Sequence, residues 1–186
     1  MSIWFTSDLH FCHDKEFLYG PRGFTNVGDM NEELIKKWND VVTMEDIVYV
    51  LGDLMLNNDE KALRCIERLN GTLHVILGNH DTENRILKYC DTYNIASVKF
   101  ADRMRLSGFN FFLCHYPTIC SNFDEEDRPL RTKTINLCGH THTKDRYVDI
   151  NKGLIYHVEV DAHDNTPVSL EQVIQDMNGI YYGKIS

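Results

Sequence analysis

Short apolar runs and longer amphipathic stretches alternate along the first half of the chain, and the two periods predict different elements. Ile3 to Ser7, Asp46 to Leu51 and the run Leu73, Val75, Ile76, Leu77 are compact and apolar, as buried strands are. Between them, Met30, Leu34, Ile35, Trp38, Val41 and Val42 recur at helical spacing, as do Ala62, Leu63, Ile66 and Leu69. The first of these helices is expected to start at Asn31, with Glu32 and Glu33 near the positive end of its dipole, and Trp38 is expected to pack. The second is expected from about Asn58 to Leu69, stopped by Asn70-Gly71. Residues 83 to 93 read as a further helix with Ile86, Leu87 and Cys90 inward. Strand, helix, strand, helix, strand is the order of a layered α/β domain.

After Ile95 the pattern shortens. Strands are expected at Ser97 to Phe100, Arg103 to Leu106, Phe109 to Leu113 and Ile135 to Cys138. Arg146 to Ile150 and Leu154 to Val160 suggest a hairpin across Asn151-Lys152-Gly153. Ser169 could cap a last helix with Leu170, Val173, Ile174 and Met177 inward. Glu16 to Gly28, with Gly20, Pro21 and Gly23, reads as a loop, and Asp124 to Asp127 as an acidic, mobile one.

The polar residues matter most where strands end. Asp8 and His10 follow the first strand, Gly52-Asp53 the second and Gly78-Asn79-His80-Asp81 the third; His115 and Gly139-His140-Thr141-His142 close later ones. Gly-Asn-His-Asp alone is equally well a polar turn. Repetition changes that reading, because the C-terminal ends of strands are where an open α/β sheet places its ligands. Carboxylate, amide oxygen and imidazole together suit Mn, Fe, Co, Ni or Zn better than Ca or a thiolate-bound zinc. Asp8, His10, Asp53, Asn79, His80, His115, His140 and His142 are too many for one tetrahedral ion and would suit two ions sharing a carboxylate.

Composition narrows the partners. A chain of 186 residues with 42% hydrophobic and 25% charged residues is expected to form one domain over residues 1–186. A net charge of −9 argues against a non-specific grip on nucleic acid or anionic membrane, although bound metal would reverse the field locally. No stretch has the length of a transmembrane helix, and the N-terminus lacks the basic and apolar regions of a signal peptide. Six cysteines without C-x-x-C spacing read as reduced thiols in a cytoplasm.

Asp8-Leu9-His10, Gly52-Asp53, Gly78-Asn79-His80-Asp81, His115 and Gly139-His140-Thr141-His142 resemble, in order and character, the motifs of calcineurin-like metallophosphoesterases. The run Ser7-Asp8-Leu9-His10-Phe11-Cys12-His13 looks like a small bacterial and phage-type subgroup. The resemblance implies an α/β fold of two packed mixed β-sheets flanked by helices, a four-layer sandwich, with two divalent ions at the strand ends. It implies Asp8, His10, Asp53 and His142 around one ion, and Asp53, Asn79, His115 and His140 around the other, with Asp53 as the bridge. His80 resembles the catalytic histidine, with Asp81 orienting its ring. The implied reaction is hydrolysis of a small phosphate ester, diesters favoured, by in-line attack of a metal-bridging hydroxide with His80 assisting.

Alternatives stay open at this level. A phosphomonoesterase would use the same site. A binding scaffold should have lost ligands, and all are present; the acidic composition counts against a nuclease. Gly52-Asp53 runs into Leu54-Met55-Leu56 without the Asp and Arg of the protein Ser/Thr phosphatase branch, and Cys114 precedes His115 where metallophosphoesterases often have Gly. His13 is read as a substrate contact or a surface residue, and His163 lies in a polar loop that could return toward the site. His74 and His157 read as strand residues. Arg22, Arg131, Lys133 and Lys144 are loop cations that could meet phosphate or stay solvated.

Overall fold

The computed structural model describes residues 1–120, 128–148 and 153–183. Its first sheet joins β1 (Ile3–Thr6), β2 (Ile47–Leu51), β3 (Thr72–Ile76) and β4 (Ile95–Lys99) in the parallel order β4-β3-β2-β1, and β9 (Val168–Ser169) adds an antiparallel edge. The second sheet has the order β5 (Asp102–Leu106), β6 (Phe109–Leu113), β7 (Thr134–Cys138), β8 (Ile155–His157), antiparallel at β5–β6 and parallel beyond.

Alternation of side chains along the strands sorts the interior into two cores. Val48, Val50, Leu73 and Val75 face one way, against α2 (Val27–Val41), α3 (Asp59–Ile66) and α4 (Glu83–Cys90). Phe5, Leu51 and Ile76 face the other way and meet Phe111, Leu113, Ile135 and Leu137 of the second sheet. Phe5 and Phe111 join the sheets with ring centroids 6.3 Å apart. The amphipathic α5 (Leu170–Tyr181) adds Leu170, Val173 and Met177 to the inter-sheet core. The fold is therefore two mixed sheets flanked by helices, as the motifs implied.

Several local expectations change. The helix expected from Asn31 starts one turn earlier: Asn26 caps it by accepting from Asp29 N at 2.9 Å, and Gly28 is tolerated inside the first turn. Asn31 is buried inside the helix and turns its carboxamide to Cys12, accepting from Cys12 N at 3.2 Å. The expected loop from Glu16 contains a short helix, α1 (Glu16–Tyr19), which buries Leu18. In α4 the inward residue is Tyr89, fully buried, whereas Leu87 is 66% exposed and Cys90 lies on the surface. Trp38 packs as expected, with no exposure and its indole N–H on Asn70 O at 2.9 Å. Ser169 caps α5 through Gln172 N. Part of the expected hairpin and the acidic loop Asp124 to Asp127 lie outside the described residues; within them Tyr147 pairs antiparallel with Tyr156. All six cysteines are free thiols, and among the described residues no helix is long and apolar enough to cross a membrane.

What positions the site is direction. β1, β2 and β3 run parallel, and so do β6 and β7, so their C-terminal ends deliver loops to one rim. The start of β1 is tied to the start of β2 by Asp46, whose carboxylate accepts from Ser2 N at 2.5 Å, Thr43 N at 2.9 Å and Trp4 Nε1 at 3.3 Å. The backbone N–H groups of Ser2 and Thr43 hold this carboxyl down to a pKa of about 2. A carboxyl depressed in the folded state stabilises the fold above its unfolded pKa of about 3.9, and that contribution is lost as pH falls through the folded value. Asp46→Asn is expected to lower unfolding free energy by about 1–3 kcal/mol at neutral pH. In denaturant titrations the gap from wild type should close as the pH falls below about 4.

Candidate metal centre

Beyond Thr6 the chain leaves the strand but keeps alternating: Leu9 and Phe11 go into the helix-side core, while Asp8 and His10 turn to the rim. Both adopt left-handed backbone, Asp8 at φ 58° and His10 at φ 50°. Asp53 (φ 54°), His140 (φ 76°) and His142 (φ 50°) do the same. Asp and His tolerate this region better than most residues, yet each such residue still costs on the order of 1–3 kcal/mol. The loops are held there by backbone bonds between neighbours, Asp8 N to Gly52 O and His10 N to Asp53 O, both 3.0 Å.

Seven of the predicted side chains converge. His10 Nε2 lies 3.8 Å from Asp8 Oδ1, 3.6 Å from Asp53 Oδ2 and 3.2 Å from His142 Nε2. His142 Nε2 lies 3.6 Å from Asp8 Oδ1. On the other side, Asn79 Oδ1 sits 2.9 Å from His115 Nε2 and 2.8 Å from His140 Nδ1, and His115 Nε2 is 3.6 Å from Asp53 Oδ2. His115 Nδ1 donates to Leu51 O at 2.7 Å, which fixes the ring and leaves Nε2 as a lone-pair donor.

The donor set fits divalent cations on its own geometry. Asp8 has no exposure, and its Oδ1 has no hydrogen-bond partner. Such an oxygen is costly without compensation. Asp8, His10 and His142 bring ligand atoms within 4.8 Å of one another, and so do Asp8, Asp53 and His115. Burial pushes the Asp8 carboxyl up, but the neighbouring imidazoles of His10, His115 and His142 outweigh it and hold the carboxyl below its ordinary value. Burial likewise holds the His10 imidazole below its ordinary value, the neutral form that a ligand requires.

His80 stands at the edge, its side chain 43% exposed and Nε2 3.9 Å from Asp53 Oδ2. Its backbone is pinned by His80 N to Asp53 Oδ1 at 2.9 Å and by Arg85 on its carbonyl. Asp81 does not meet the expectation of a ring orienter. Its buried carboxylate accepts from Asp53 N at 3.0 Å, Gly78 N at 2.8 Å and Tyr89 O–H at 2.7 Å, and so clamps two strand ends together. His13 is buried, packs at 5.4 Å from the His10 ring and leaves Nδ1 without a partner. Burial, then repulsion from His10 and His80, brings its pKa down to about 4.

His163 turns away from the cluster. A 3-10 turn at Val160–Ala162 does bring this loop back, but the residue it delivers is Asp161, 3.0 Å from His142 Nδ1. His163 instead donates Nε2–H to His157 O at 2.8 Å and lines a separate cavity with Trp4, Arg146 and Gln172. Arg22 is neither solvated nor free for phosphate: it is buried and engaged with Asp161 and the carbonyls of Asp8 and Leu9. Glu159, also buried, holds the loop of His140 and His142 through Thr141 Oγ1 at 2.8 Å and Thr143 N at 2.7 Å. A carboxylate inside the apolar run Val158-Glu159-Val160 was the available signal for it; Asp161 carried none. His74 and His157 are partnered strand residues, on Ser97 and beside Glu159.

Gly78 and Gly139 are required by crowding against the two carboxylates of the site. A Cβ at Gly78 would collide with Asp53 Oδ1, and one at Gly139 with Asp8 Oδ2 and Ser7 Oγ. Gly139→Ala is therefore expected to displace Asp8 and weaken Mn binding in calorimetry at least tenfold, an effect of the size seen when groups supporting metal ligands are lost. Asp81→Ala should lower unfolding free energy by about 1–3 kcal/mol for each buried donor left unpaired. It should also weaken metal binding, whereas loss of a ring orienter would leave metal binding unchanged.

The sequence matches the family model of the calcineurin-like phosphoesterase superfamily domain over residues 1–160. An uncharacterized protein of Methanocaldococcus jannaschii is 36% identical over 183 residues, covering 93% of this chain and 89% of its own. The Gene 66 protein of Mycobacterium phage D29 is 29% identical over 201 residues and covers 98% of each chain. A solved protein of unknown function from Aquifex aeolicus shares the fold, with a TM-score of 0.69, 22% identity and coverage of 94% of this chain and 98% of that one. The chain thus belongs to the calcineurin-like phosphoesterase superfamily and is a divalent-metal-dependent phosphoric ester hydrolase.

Proposed function

We infer that this chain is a two-metal phosphodiesterase acting on a small substrate, with Asp8, His10, Asp53 and His142 around one ion and Asp53, Asn79, His115 and His140 around the other. The observation that carries this reading is the place of Asp53 Oδ2, 3.6 Å from His10 Nε2 and equally 3.6 Å from His115 Nε2. One carboxylate oxygen between a ligand of each group is where a bridge belongs. Manganese is the ion we favour for assay, since the mixed oxygen and imidazole donors suit it.

When bound, divalent cations neutralise phosphate oxygens and acidify water. Asn79 contributes a neutral oxygen, which leaves the centre positive toward an anion. His80, exposed beside Asp53, can reach a substrate oxygen and give a proton to the departing alkoxide. The diester preference is supported by Arg22. Arg22, the cation beside His142, is closed off by Asp161 and two carbonyls, so it offers nothing to the second charge of a monoester. His13 borders His10 and is proposed to contact substrate through its unpartnered Nδ1.

Three outcomes are expected. Metal analysis should give two ions per chain, and kcat/KM should be higher for a generic diester than for a generic monoester with Mn, Fe, Co, Ni or Zn. A monoester preference with every metal would overturn the diester reading while leaving the metal centre intact. His80→Ala should keep both ions and lose about 10²–10⁴-fold in kcat, as a general acid does, with a smaller loss for nitrophenol leaving groups. Loss of metal, or equal losses on good and poor leaving groups, would remove His80 from that role.

A further inference from the structure

Asp161 and Arg22 lie outside every motif that led to the site, yet they pair beneath it with little exposure. The Arg22 side chain is 1% exposed and that of Asp161 11%. Arg22 Nε donates to Asp161 Oδ1 at 2.9 Å, and Nη2 donates to Asp161 Oδ2 at 2.7 Å, the forked geometry that fits a carboxylate. Nη2 also donates to Asp8 O at 2.8 Å, and Nη1 to Leu9 O at 3.3 Å.

Counting protons decides the state of His142. Its Nδ1 lies 3.3 Å from Arg22 Nη2 and 3.0 Å from Asp161 Oδ2. Nη2 carries two hydrogens, and the two shorter bonds, to Asp161 and to Asp8 O, use both. Arg22 therefore has no hydrogen left for His142, and a guanidinium accepts none. An ionised carboxylate only accepts, so the contact at 3.0 Å requires the proton on His142 Nδ1. The opposite nitrogen, Nε2, faces Asp8 Oδ1 at 3.6 Å and His10 Nε2 at 3.2 Å, and in the neutral ring it is the nitrogen that carries the lone pair.

The geometry points to Asp161, held by Arg22, as the positioning residue that fixes the tautomer and direction of His142 for the cation subsite shared with Asp8 and His10. This rests on the two-metal reading above. Because Arg22 also grips the carbonyls of Asp8 and Leu9, one buried ion pair orients two ligands on different loops. The neighbouring subsite has a different anchor, the bond of His115 Nδ1 to Leu51 O, so disturbance of Asp161 should be felt on one side only.

The inference can be tested without catalysis. Long-range proton–nitrogen NMR on the metal-free full chain, at a pH high enough for the His142 ring to be neutral, should find its one proton on Nδ1; a neutral ring protonated at Nε2 instead would overturn the proposal. Manganese titration by calorimetry should show one of two binding events weakened about 10–100-fold in Asp161→Asn and in Asp161→Ala, with the other unchanged. Unchanged affinity at both events, or equal weakening of both, would also overturn it. If either variant fails to fold, the wild-type tautomer still decides. If wild type binds fewer than two ions, the two-metal reading fails, and the tautomer still tests the role of Asp161 separately.

Discussion

Buried negative charge is the constraint on which this structure depends. Asp8 and Asp53 are 0% and 2% exposed, in a position where an uncompensated carboxylate would be prohibitive. The fold meets the cost in a symmetrical way. One oxygen of each is fixed by a backbone N–H from another strand's loop, His140 N on Asp8 and His80 N on Asp53. The second oxygen of each is turned to the imidazoles. The cluster therefore requires positive charge to be complete, and the surrounding polar residues serve to hold that requirement in one geometry.

That demand explains the crowding and strain at the rim. Left-handed backbone at five predicted ligands, and glycines at 78 and 139 with no room for a Cβ, are unfavourable locally and are retained by the bonds around them. Asp81 belongs to this restraint. Its carboxylate draws the Gly52-Asp53 and Gly78-Asn79 turns together, and fully buried Tyr89 anchors it from α4.

Much of this was legible in the sequence, for a physical reason. Compact apolar runs such as Ile47 to Leu51 and the helical stripe Leu34, Ile35, Trp38 report burial directly, and the ligand types at strand ends report chemistry. Helix starts were less legible, because Asn26 and Asn31 are both capable caps and only packing shows that Asn31 is needed inside, on Cys12. Contacts across the chain were illegible. Arg22 and Asp161 are 139 positions apart and look like ordinary loop charges until the fold closes them over His142. His163, two residues beyond Asp161, shows how one 3-10 turn decides which of two polar neighbours enters a site.

The adjacency of β1, β2 and β3 has one more consequence. Asp8, Asp53 and Asn79 each follow one of three strands that lie side by side, so their spacing is inherited from the interstrand distance of about 4.8 Å set by backbone hydrogen bonds. The sheet is in effect a ruler, indifferent to side-chain identity, that keeps the reacting centre at constant dimensions. A loop that does not carry the ruler, such as that of residues 116–120, can change length and composition without altering it. Changes outside the three strands thus leave the spacing of Asp8, Asp53 and Asn79 as the sheet sets it.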